Sequence, residues 1–337
     1  MGSEAKYHHL IPQTYMSAWA NSSGTLLVKD LHTGETEKKN KEKFLGVNHY
    51  HSIIAGMPIC TEDDAKEIFK ILNNYDVSYQ GKIVANPLEL NQLYYDYENW
   101  TITRKSDGSI AAKKPIKVAI DQVKIRDIET TWSTKYENRW PSIREEIENK
   151  VLFVKNGEVP EFHKDFLMRF YTSMDWRGFA TNLLFTQAFD ALCKDAVAFD
   201  EIEIPVDERE LPFFETAYDY FKHCLLLKIF RRFLNDDGPM YLHANQNIKF
   251  TNFHFLIADG ATRFNTSDNP SFWCIREDGL KIGLMPIEPR ILMAQGKNAD
   301  NEPMYSVTHI TDDAVKNYNR WIEENAEQYI ILDNTQS

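Results

Sequence analysis

Cysteine is scarce in this 337-residue chain: only Cys60, Cys193, Cys224 and Cys274 occur, widely scattered. No C-x-x-C pair and no Cys/His ligand spacing is present. That argues against a disulfide framework or a zinc ribbon and predicts reduced, buried thiols. Positive charge is also in deficit. The chain carries 38 Lys and Arg against 50 Asp and Glu, a net charge of -12. This argues against broad adhesion to nucleic acid or to anionic membrane, although a local basic groove stays open. Apolar runs such as 224–228 are far too short and interrupted to cross a bilayer. No signal-peptide core is present, and Lys6 stands where a myristoylation pattern requires Ser or Thr. Repeats, low-complexity tracts and a splitting linker are absent, as are D-x-D and H-x-H-x-D-H signatures. The expectation is a soluble, cytoplasmic protein with no membrane partner. Nucleic acid enters only as a substrate in a local groove, and a partner protein stays open.

What is there supports a substantial core, since 43% of residues are hydrophobic and 13% aromatic. A short helix is expected after Pro12, with Tyr15, Met16 and Trp19 on its apolar side. Leu26–Asp30 reads as a strand, and the mixed-charge run Glu37–Lys43 as a solvated loop. Thr61 caps a helix to about Asn73, and a second helical piece runs from about Pro87 to Tyr94. Trp100–Lys113 reads as a β-hairpin turning at Ser106–Ser109.

The middle third is helical. Val118 to about Lys150 is interrupted at Pro141, Glu161 to about Phe199 gives one or two helices, and Leu211–Pro212 to about Leu234 gives another. Strands follow at Ile248–Ala258, in a hairpin over 272–284 turning at Glu277-Asp278-Gly279, and at 290–293. A helix from Asp312 to about Asn325 precedes an edge strand at Tyr329–Leu332. The expected architecture is a single α+β domain over 1–337, with a predominantly helical middle, β-strands near the N-terminus and a β-rich C-terminal third. The stretch 60–126, which contains the hairpin, is a candidate inserted subdomain.

Several polar residues carry two readings each. Asp268, in Phe264-Asn265-Thr266-Ser267-Asp268-Asn269-Pro270, is either a carboxylate at a strand end facing a pocket or the acceptor of an Asx-turn. His9, just before the first helix, is a ligand or general base, or a histidine bonded to the backbone. His49 and His51 share one face of a strand and read as surface histidines. Glu129 and Glu137, eight residues apart, share a helix face and serve metal or acid/base chemistry, or pair with Lys135 or Arg139. Arg169 and Arg177 lie among apolar neighbours, so one of them should meet a carboxylate such as Glu129 or Asp268. The tryptophans Trp100 and Trp273 are candidate partner-facing residues.

Two stretches together carry a resemblance. His9-x-x-Pro12-Gln13-x-Tyr15-Met16 is similar to the opening H-x-x-P-x-x-Y-L of a large bacterial family of unknown function. Phe264–Pro270 resembles that family's F-x-T-S-D-x-P hallmark. Asn48-His49-Tyr50, Ile128-Glu129, Glu137, Arg177 and Leu284-Met285-Pro286-Ile287-Glu288-Pro289 follow its order of elements. Met16 stands where the family has Leu, and 60–126 is longer than expected. The resemblance singles out His9, Glu129, Glu137, Arg177 and Asp268. One His, three acids and one Arg are the ingredients of a metal-dependent hydrolase, a phosphodiesterase or nuclease. Asp268, Glu129 and Glu137 would then hold Mg or Mn, His9 would act as base, and Arg177 would clamp phosphate. The alternative is a non-enzymatic ligand-binding or protein-interaction module, in a defence or mobile-element context. A polar network that only holds layers together would present the same residues.

Overall fold

The computed structural model describes residues 7–178, 183–193, 202–206, 209, 214–276, 278–297 and 303–335. Pro212, Glu277 and the 194–199 end of the expected Glu161–Phe199 helical region lie outside them. The architecture is α+β, with the helical middle and β-rich C-terminal third that the periodicities predict. The chain forms two compact units. The first comprises Met1–Asn48, Trp132–Asp195 and Asn235–Ser337; the second comprises His49–Thr131 and Ala196–Leu234. No helix among the described residues is long and apolar enough to cross a membrane.

In the first unit, the alternation of Phe253, Phe255 and Ile257 produces the strand Thr251–Ala258. Ile291–Lys297 pairs with it antiparallel and Met304–Ile310 parallel. Phe272–Ile275, Lys281–Glu288 and Gly157–Pro160 complete a six-stranded sheet. Successive strand residues face opposite sides. Leu256, Leu284 and Leu292 therefore pack with Val315 and Ile322 of the helix Asp312–Glu324. Phe255, on the other side, packs against Phe162 and Tyr305. Each fully buried Leu contributes about 2 kcal/mol, so burial holds the Asp312–Glu324 helix in place more than helix propensity does.

A second sheet has the order Thr266–Ser267, Tyr329–Leu332, Thr25–Asp30, Thr36–Asn40. Tyr329–Leu332 is thus an interior strand rather than an edge, because Ile330 and Ile331 are buried between partners on both sides. The expected loop over 37–43 includes the strand Thr36–Asn40, whose side chains are mostly exposed. Residues 248–250, expected in a strand, close the helix Gly238–Phe250. The Gly238-Pro239 pair that stops the preceding helix also starts this one, since proline suits a first helical turn.

The second unit holds the three-stranded sheet Lys82–Ile83, Tyr75–Tyr79, Trp100–Arg104 and contains all of 60–126. The turn after Arg104 forms, with Thr103 bridged to Ile110. The main partner of Trp100–Arg104 is nevertheless Tyr75–Tyr79, and Lys113 already opens a helix. Trp100 is buried beside Phe69, Tyr94 and Tyr97 and presents no surface to a partner. Arg231, in the last turn of the helix Ala217–Leu234, chelates Asp64 at 2.7 and 3.0 Å and bonds Asp127 at 2.7 Å.

Candidate functional site

The stretches that carry the family resemblance meet around Tyr15. The short helix Gln13–Met16 buries Tyr15 completely. Its hydroxyl donates to Pro286 O at 2.7 Å and lies 2.9 Å from Thr266 Oγ1. Trp19 Nε1 donates to Phe264 O at 2.9 Å. The opening motif, the Phe264–Pro270 hallmark and the Leu284–Pro289 segment are therefore hydrogen-bonded into one node of the first unit.

Asp268 belongs to that node. Its carboxylate accepts the backbone N–H groups of Glu327 (2.9 Å), Gln328 (2.8 Å) and Tyr329 (3.0 Å). Its own N–H donates to Tyr329 O at 3.1 Å. Asp268 is 5% exposed. Burial raises the pKa of its carboxyl, and the three N–H donors oppose that shift. Both oxygens are engaged in starting the strand Tyr329–Leu332. Asp268 and Glu137 join no group of three or more clustered His, Cys, Asp or Glu ligand atoms among the described residues.

His9 is nearly buried in the strand Tyr7–His9. Its Nε2–H donates to Glu42 O at 3.0 Å, and Gln13 Nε2 lies 3.2 Å from the same nitrogen. Glu137 ends the π-helical turn Ser133–Glu137. It pairs with Arg177, which is 1% exposed and lies 4.7 Å above the Trp132 ring. Arg177 thus meets the carboxylate of Glu137, and Arg169 meets that of Asp236 at 3.4 Å.

Glu129 acts in the second unit. Its Oε2 lies 2.8 Å from Nδ1 of His51. His51 is wholly buried, packed against Tyr50 and Phe230, and not on a strand surface. His223 stands beside it. Its Nε2–H donates to Tyr50 O at 2.8 Å, and its ring packs on Tyr50 and Phe214. Burial, and then the charge of His51, pushes the pKa of His223 down to about 3. The i, i+2 spacing of His49 and His51 was the one sequence signal for this pair, and its carboxylate is 78 residues away.

The Leu284–Pro289 segment contributes one more titratable group. Burial, and then a hydrogen bond to Glu148, pushes the pKa of Glu288 up to about 8, with Arg144 opposing. A raised carboxyl binds more protons folded than unfolded, so this pair loses stability as pH rises from about 4.5 to about 8. Glu288→Gln keeps a donor toward Glu148 and removes the titration. Urea melts should find the variant level with wild type near pH 5 and more stable near pH 9, by on the order of 1 kcal/mol after solvent screening. An identical difference at both pH values would rule out the shared proton.

Fold and node together define a mixed α+β protein whose signature stretches build structure before they build chemistry. The chain belongs to the family described as "Protein of unknown function (DUF4238)", whose model matches residues 7–336. No curated protein and no solved structure matches it.

Proposed function

We propose that the protein is a metal-dependent hydrolase whose divalent ion is held at His51 and Glu129. One observation carries this reading: a wholly buried imidazole nitrogen lies 2.8 Å from a carboxylate oxygen. Imidazole nitrogen and carboxylate oxygen are both metal-ligand atoms, so His51 and Glu129 would hold a divalent ion in place of the proton between them. A mixed nitrogen and oxygen pair favours Mn²⁺ or Zn²⁺ over Mg²⁺. The ion would polarise a phosphoryl oxygen and lower the pKa of a bound water to make the nucleophile. The phosphodiester class rests on the family resemblance.

Thermal melts with Mg²⁺, Mn²⁺ and Zn²⁺ test it. A metal bound only to the native state should add about 2.7 kcal/mol at a hundred times its dissociation constant. Glu129→Gln keeps a hydrogen-bond acceptor for His51 and should abolish that gain. A gain retained in Glu129→Gln, or no gain with any ion in wild type, would overturn the reading.

A further inference from the structure

The first unit contains a cleft of about 560 Å³ that none of the motif residues enters. It opens between the π-helical turn Ser133–Glu137, the start of the helix Lys164–Arg177, and Asp236. Its volume falls in the range of small-molecule sites. Although the chain as a whole is acidic, the cleft has four full cations, Lys135, Arg139, Lys164 and Arg169, against three carboxylates.

The cleft's Lys and Arg outnumber its Asp and Glu by one. Lys135 and Arg169 both pair with Asp236, at 3.1 and 3.4 Å, and Arg169 also donates to Tyr241 Oη at 3.4 Å and Asn245 Oδ1 at 3.5 Å. Lys164 is matched by Glu161 at 3.0 Å. Arg139 makes no ion pair among the described residues; its guanidinium lies 4.9 Å over the ring of Phe166 and its side chain is exposed. Arg169 adds a buried Nε–H with no hydrogen-bond acceptor. The helix Lys164–Arg177 begins here at His163 without a side-chain cap, and Asp165 in its first turn offsets part of the positive end. A flat guanidinium fixed on an aromatic ring offers two parallel donors, the arrangement that grips a phosphate with two oxygens.

We propose that this cleft binds a small organic phosphate monoester, with Arg139 as its principal contact and Arg169 and Lys135 completing the cationic wall. The proposal stands apart from the metal reading, since it draws on none of the same residues. Charge attraction at a partly open cleft weakens with salt, so binding should fall as ionic strength rises.

Calorimetry with AMP, adenosine and inorganic phosphate tests it on the full chain. AMP should bind in the range of about 1 mM or tighter, inorganic phosphate more weakly, and adenosine not at all. Arg139 is exposed, so Arg139→Ala should fold normally and weaken AMP binding about tenfold or more, with Arg139→Lys recovering only part of it. AMP binding should be the same with and without EDTA, which separates a failure here from a failure of the metal site. Absent AMP binding at low salt, equal binding of adenosine, or unchanged affinity in Arg139→Ala would each overturn the proposal.

Discussion

Replacing Asp268 by alanine is expected to cost about 3 to 5 kcal/mol of stability, because three backbone N–H groups that bond a buried carboxylate lose their acceptor at once. Each hydrogen bond to a charged group is worth about 1.5 to 3 kcal/mol, and the three share one carboxylate, so their losses do not simply add. Asp268→Asn should lie between the two, since it keeps one oxygen but turns an amide NH₂ toward N–H donors. Urea denaturation measures the loss. Hydrogen exchange at Glu327, Gln328 and Tyr329 locates it, because those amides should exchange sooner than the rest of their sheet. Near-wild-type stability in Asp268→Ala, with loss of a metal-dependent stabilisation, would place Asp268 in a metal site and refute this structural role.

The pair of Glu137 and Arg177 should give the second large effect. Arg177 is 1% exposed, so Glu137→Ala removes the carboxylate facing a guanidinium that water cannot reach. Breaking such a pair from one side costs about 3 to 5 kcal/mol. Replacing both, as Glu137→Leu with Arg177→Met, removes the buried charges together and should cost less than the sum of the single changes by more than 1 kcal/mol. A double-mutant cycle in urea reads this coupling. Additive losses would mean that the pair does not act as a unit. A hydrolase that used Arg177 to hold phosphate would instead retain stability in Arg177→Met and lose substrate affinity.

Much of the architecture was legible because it is written in local spacing. The alternation at Phe253, Phe255 and Ile257 marks a strand, and Thr61 with Asp64 marks a capped helix. Misreadings fell where one signal has two meanings. Asp237-Gly238-Pro239 stops one helix and starts another. Glu37 to Lys43 is charged like a loop, yet the strand Thr36–Asn40 pairs along Thr25–Asp30 through its backbone. Tyr329–Leu332 reads as an edge by its place near the chain's end, yet it pairs on both sides, and its second neighbour, Thr266–Ser267, is only two residues long.

The residues singled out by the resemblance divide in the same way. Their types announced buried polar work, and the structure gives Asp268, Glu137 and Arg177 such work. Their chemistry could not be read from order along the chain. Two carboxylates eight residues apart suggested one shared face; what the spacing did not give is that Glu129 meets His51 and that Glu137, at the end of a π-helical turn, meets Arg177. His51 looked like a surface residue because nothing near it in sequence explains its burial.

The sequence by itself determined the class of fold, the type of most elements and the residues with a polar duty, because propensity, capping and hydrophobic period act within a few positions of the chain. Only the tertiary structure decided which acid meets which base. Glu129 joins His51 across 78 residues and Glu137 joins Arg177 across 40. Those pairings depend on how layers pack and which groups lose water together, and no local spacing encodes that.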